Sequence, residues 1–187
     1  MVMELRRVDD STLKSLIADP KEAAWFISGI EPSGPRRGLF SRLFGKEEEE
    51  KKEPREWQFP PCEEVLDVDK SWHALHFLLT GTGGESDSPR AFLLHGGTSV
   101  ATGDFPILFH TADEVEKIYD SISSESFESY INRYDVEKMK EEDIYKFDEL
   151  ESSDEDMREY ATDYLKSLIE FIELTTKNKQ GLAISMG

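Results

Sequence analysis

The chain has 187 residues, with 40 Asp and Glu against 22 Lys and Arg for a formal net charge of −18, and 37% of it is hydrophobic. Eleven Phe, six Tyr and three Trp supply a core that a solvated acidic tail lacks. The negative balance excludes the basic surface that nucleic acid or an anionic membrane requires. The one cysteine, Cys62, leaves no internal disulfide and no multi-cysteine metal site. MVMELRRVDDSTLKSL has no signal-peptide core and no stretch approaches about 18 apolar residues, so a soluble cytoplasmic protein is expected.

The first eight residues alternate loosely and predict a strand. Asp9 or Asp10 caps a helix whose apolar positions are Leu13, Leu16 and Ile17, and Pro20 opens a second with Trp25, Phe26 and Ile27, ended by Gly29. Residues 31–61 read as an inserted flexible loop in an otherwise single domain of residues 1–187. Pro32, Gly34, Pro35 and Gly38 forbid regular structure at its start, and KEEEEKKE needs only solvent. Between them RRGLFSRLFGK is basic and aromatic, either a membrane-touching or partner-docking segment or a loop whose Leu39, Phe40, Leu43 and Phe44 fold back on the domain.

LDVDKSWHALHFLLTG, residues 66–81, predicts a helix capped by Asp69 and stopped by Gly81. A turn-rich connection follows, then a short apolar run at Ala91–His95, glycine turns at 96, 97 and 103, and a strand at 105–110. Gly96 and Gly97 lack the context of a phosphate-binding loop and read as a turn. Thr111 to Glu114 has capping-box spacing, and its helix presents Val115, Ile118, Tyr119 and Ile122. Ser123 or Ser124 opens another with Phe127, Tyr130 and Ile131, and Asp135 a short one through Met139. Ser152 or Ser153 opens the longest, to about Lys179, and LAISM closes as a strand. The order predicts an α+β fold: helices on a small mixed β-sheet, with a long C-terminal helix followed by a final strand.

The helix at 66–81 concentrates the candidate chemistry. At about 100° per residue, apolar side chains surround nearly its whole circumference, which marks it as buried. The remaining stripe holds Asp69, His73 and His76. Three readings compete: a metal site of two imidazoles and a carboxylate, a catalytic histidine oriented by Asp67 or Asp69, and a buried hydrogen-bonded network. HxxH with no third ligand is a weak metal signal, so no metal or other cofactor is expected. Asp67, Asp69, Trp72, His73 and His76 are therefore carried as candidate ligand or polar-network residues. His95 and His110 each end an apolar run, and are expected to face water unless they converge with the stripe on a cleft.

These residues resemble the signature of the YfbM-like family, the bacterial domain of unknown function numbered 1877. Its pattern falls on Leu66, Asp67, Asp69, Lys70, Trp72, His73, His76, Leu78, Leu79, Thr80 and Gly81. The Gly96-Gly97 pair, Phe109 to Val115, Arg133 to Met139, Ile144-Tyr145 and the closing helix and strand are similar to the family's later motifs. Gly103 to Pro106 departs from a glycine–tyrosine–glycine-like turn. The resemblance implies a single α+β domain in a bacterial cytosol, and brings with it no activity and no catalytic residue.

Residues 113–173 hold 21 acidic and 7 basic residues, net −14, so most of the charge lies on one run of helices. With no catalytic motif in view, the first expectation is a non-enzymatic interaction protein. It would present that acidic face to a basic partner, as an immunity-type inhibitor does. The alternative is an enzyme or small-molecule binder with a pocket at the Asp69/His73/His76 stripe. Oligomeric state is not legible.

Overall fold

A computed structural model describes residues 1–29, 65–102, 104–145 and 153–187. The expected insertion at 31–61 and its RRGLFSRLFGK segment lie outside the described residues. Five strands, β1 (Met3–Val8), β2 (Val65–Asp67), β3 (Thr98–Ala101), β4 (Pro106–His110) and β5 (Gly181–Met186), form one sheet in the order β2-β1-β5-β4-β3. The described pairings are all antiparallel, where a mixed sheet was expected. The α+β class stands, as does the long helix leading into the last strand.

The helices are α1 (Asp10–Ala18), α2 (Pro20–Ser28), α3 (Trp72–Thr80), α4 (Ala112–Ser123), α5 (Phe127–Ile131), α6 (Val136–Glu141) and α7 (Asp154–Lys177). Except at α3, their starts follow from side-chain oxygens that satisfy the first backbone N–H groups. Asp9 accepts from Ser11 and Thr12 N–H, and Asp135 from Lys138 N–H. Thr111 with Glu114 and Ser153 with Asp156 close reciprocal capping boxes. The cap of α5 is Ser126, where Ser123 or Ser124 was expected.

Strand alternation sorts the core onto two faces. Leu66, Leu5, Ile184 and Leu108 lie in one row across β2, β1, β5 and β4. That face packs against α3, α4 and α7 through residues such as Leu75, Leu78, Ile118, Leu168 and Ile172. Val8, Val100, Ile107, Phe109 and Ala183 point the other way, against Leu13, Leu16, Ala23 and Phe26 of α1 and α2. Each fully buried Leu contributes roughly 1.5–3 kcal/mol. The connection after α3 meets the end of β4 where His110 bonds the Phe92 carbonyl, and Phe92 and Leu93 belong to the larger core.

Candidate functional site

Seven of the nine residues of α3 are buried, as its apolar circumference predicts. The helix begins at Trp72 rather than at Asp69. A 3₁₀ turn, Asp69–Ser71, precedes it, and Asp69 sits in the left-handed region at φ 47°. Asp67 accepts from the Asp69 N–H at 2.7 Å, making the local turn that holds this conformation. The Asp69 carboxylate turns to α7, where Tyr160 Oη donates to it at 2.9 Å. The Tyr160 phenol is pushed up, first by burial and then by this carboxylate. Neither Asp69, which the wheel grouped with the two histidines, nor Asp67 is hydrogen-bonded to His73 or His76 among the described residues.

His73 and His76 fasten a backbone strap. His73 Nε2 bonds the Gly83 carbonyl at 2.9 Å, while its Nδ1 accepts the Tyr145 N–H at 3.0 Å. A carbonyl only accepts, so Nε2 carries the proton and the neutral tautomer is fixed. His76 Nε2 donates in the same way to the Gly84 carbonyl at 2.9 Å. His76 is fully buried, and its Nδ1 finds no partner among the described residues. Burial chiefly lowers its pKa, with the nearby His95 and His73 adding to the effect. Thr80 Oγ1 donates to the carbonyls of His76 and Thr82, and Glu142 accepts from Gly83 N–H at 2.9 Å. Trp72 stacks on His73 at 4.9 Å and on Tyr145 at 5.4 Å.

The imidazoles continue beyond the helix. His76 lies 6.5 Å from His73 and 5.7 Å, edge to face, from His95, measured between ring centroids. His95 and His110 both line a cavity of about 400 Å³. This cavity size is within the range of small-molecule sites. Phe92 and Ile118 form apolar wall, Gly96 and Gly97 a turn at its edge, and Glu85, Asp87 and Glu114 contribute carboxylates. His110, expected to face water, is only 2% exposed, and its Nε2 bonds the Phe92 carbonyl at 3.0 Å. Its pKa is lowered, mainly by burial. Neither His73 nor His76 lines this cavity. Among the described residues, no group of three or more His, Cys, Asp or Glu is arranged to hold a metal ion. No described helix is long and apolar enough to cross a membrane.

An antiparallel sheet covered on both faces, with a histidine-bearing buried helix strapped beside it, defines an α+β domain of one architecture. Residues 1–185 match the family model of DUF1877, a domain of unknown function, and the chain belongs to that family. The crystal structure of YfbM from Escherichia coli, itself described as a protein of unknown function, is similar at a TM-score of 0.64. It has 16% sequence identity, with 98% of each chain covered. That likeness speaks for the fold alone. Comparison with curated proteins yields no match.

Proposed function

We propose that this chain is a small-molecule-binding domain whose site is the His95/His110 cavity. One observation carries the reading. Two histidines from different segments, one of them on β4 and nearly fully buried, line a single open cavity of ligand size. The signature helix supports the site from behind, since His76 packs edge to face on His95. This reading differs from a pocket at the Asp69/His73/His76 stripe, whose two histidines each bond a backbone carbonyl. Among the described residues no serine hydroxyl lining the cavity is hydrogen-bonded to His95 or His110, and binding rather than catalysis is proposed. The test is a ligand-observed NMR screen of small polar and charged compounds against the whole chain and its Asp87→Trp variant, which closes the rim. Compounds that bind the first and not the second support the reading. Binding that survives Asp87→Trp, or no binding by any compound, overturns it.

A second reading, docking of a basic protein, is favoured by the one-sidedness of α4 and α7. Val115, Ile118, Leu165 and Leu168 face the core, while Glu116, Asp120, Glu159 and Asp163 are exposed. A cationic test protein that associates at low salt with the natural chain, and not with a Glu155→Lys/Glu159→Lys/Asp163→Lys chain, supports it. Equal association with both overturns it.

A further inference from the structure

We infer that the His95/His110 cavity takes a small organic ammonium ion, a protonated primary amine on a short apolar body. The inference rests on the cavity being a ligand site and adds the chemistry of its occupant. His110 Nε2 faces a carbonyl oxygen, so it must be the protonated, donating nitrogen. The ring's other nitrogen, Nδ1, is then a lone-pair acceptor, and no described residue donates to it. The Nδ1–Cε1 edge faces the Gly96–Gly97 turn. A Cβ at position 97 would lie 2.9 Å from Nδ1 and 3.0 Å from Cε1. Glycine at 97 thus keeps a side chain off this edge, and Gly97 and His110 both line the cavity.

An occupant that satisfies His110 must bring a hydrogen to donate. The charged groups around it select the sign of the donor. Glu85 and Asp87 are exposed and Glu114 is half-buried, while no Lys or Arg among the described residues lines the space. An anion would meet three carboxylates and no cation. An ammonium ion meets counter-charge, and the protein's net charge of −18 enriches cations at its surface. Phe92 and Ile118, both nearly fully buried, provide an apolar wall for the rest of the molecule. A quaternary ammonium has the charge but no N–H to give, so the site discriminates against it.

The experiment uses the whole chain with ¹⁵N-labelled histidine and follows the imidazole nitrogens by NMR. The probes are n-propylammonium, n-propyltrimethylammonium, 1-propanol and propionate. Saturable perturbation of His110 Nδ1 by n-propylammonium is expected, with the other three at least about tenfold weaker. Asp87→Asn should weaken n-propylammonium about threefold or more while the histidine tautomers stay as they are. If 1-propanol or propionate binds the cavity as tightly as n-propylammonium, the ammonium assignment fails and the cavity remains a ligand site. Tight binding of n-propyltrimethylammonium overturns the donor role of the amine. Silence from all four also overturns the assignment, and the broader screen then decides the cavity itself.

Discussion

The Tyr160 hydroxyl donates to Asp69 Oδ2 at 2.9 Å across 91 positions of sequence, tying α7 to the turn that introduces α3. Asp69 pays a conformational cost at φ 47° that Asn and Gly bear most easily. Tyr160→Phe should therefore destabilise by about 1 kcal/mol, the usual net worth of one hydrogen bond. Asp69→Asn should cost less than Asp69→Ala, because it keeps both an acceptor and a tolerance of positive φ. In an Asp69→Gly background Tyr160→Phe should cost almost nothing. Urea unfolding of the two singles and the double measures the coupling, and full additivity would refute it.

Arg133 donates to the Leu78 and Leu79 carbonyls at 2.8 and 3.1 Å, at the C-terminal end of α3, and to Glu125 at 2.5 Å. Arg90 joins the same carboxylate, and both guanidinium groups lie over the Tyr130 ring. Glu125 is held below the ordinary carboxylate range, first by its bond from Arg90. Arg133→Met should cost about 2 kcal/mol, because two carbonyls lose a charged donor at the negative end of a helix. Arg133→Lys should recover only part, since one ammonium does not reproduce the fork. Thermal and urea unfolding check the order; Arg133→Met as stable as the natural chain would contradict it.

His76 and His110 set a pH dependence. Both have folded pKa values below the ordinary 6.5, with burial the main cause. The Gly84 and Phe92 carbonyls pull the two values back up, as does Glu114 for His110. As pH falls through about 6.5 the unfolded chain binds protons that the folded chain does not. Stability contributed by these groups is thus complete above that pH and declines toward 5.5. The limit is about 1.4 kcal/mol per pH unit for each histidine. His76→Gln and His110→Gln should each flatten the dependence of the urea midpoint between pH 7.5 and 5.5. A slope unchanged in both variants would rule out this origin.

Two glycines with positive φ should respond differently to alanine. At Gly97, φ 60°, a Cβ would meet the Phe109 carbonyl oxygen at 2.4 Å as well as the His110 ring. At Gly81, φ 82°, a Cβ meets nothing within 4 Å. Gly81→Ala should cost only the left-handed conformation, about 1–2 kcal/mol. Gly97→Ala adds a backbone clash on β4 and should cost clearly more, with a changed His110 environment visible by NMR. Equal costs would show that the turn yields at no expense.

The fate of α3 was legible because apolar side chains around a whole helix leave it nowhere to face water. Capping boxes at Thr111 and Ser153 were legible because they are local. The partners of His73 and His76 were not, since Gly83 and Gly84 offer backbone carbonyls that no side-chain pattern announces. Asp69 escaped the wheel because the wheel assumes helical geometry from its first residue, and the helix starts three residues later. β2 and β3 span three and four residues, too few for period-two alternation to stand out. The meeting of His95 and His110 depends on β4 lying beside the turn after Pro89, which only the tertiary fold decides.

The neighbours at the middle of the sheet are its earliest and latest strands. Met3 pairs with Met186 and Val8 with Gly181, so the central ladder waits on residues made some 170 positions after β1. During synthesis β1 and β4 each keep an open hydrogen-bonding edge until β5 leaves the ribosome and enters between them. Folding of this sheet is accordingly a late, long-range closure with a high loop-entropy barrier. A nascent chain stalled before Gly181 would lack the one strand that pairs with both β1 and β4.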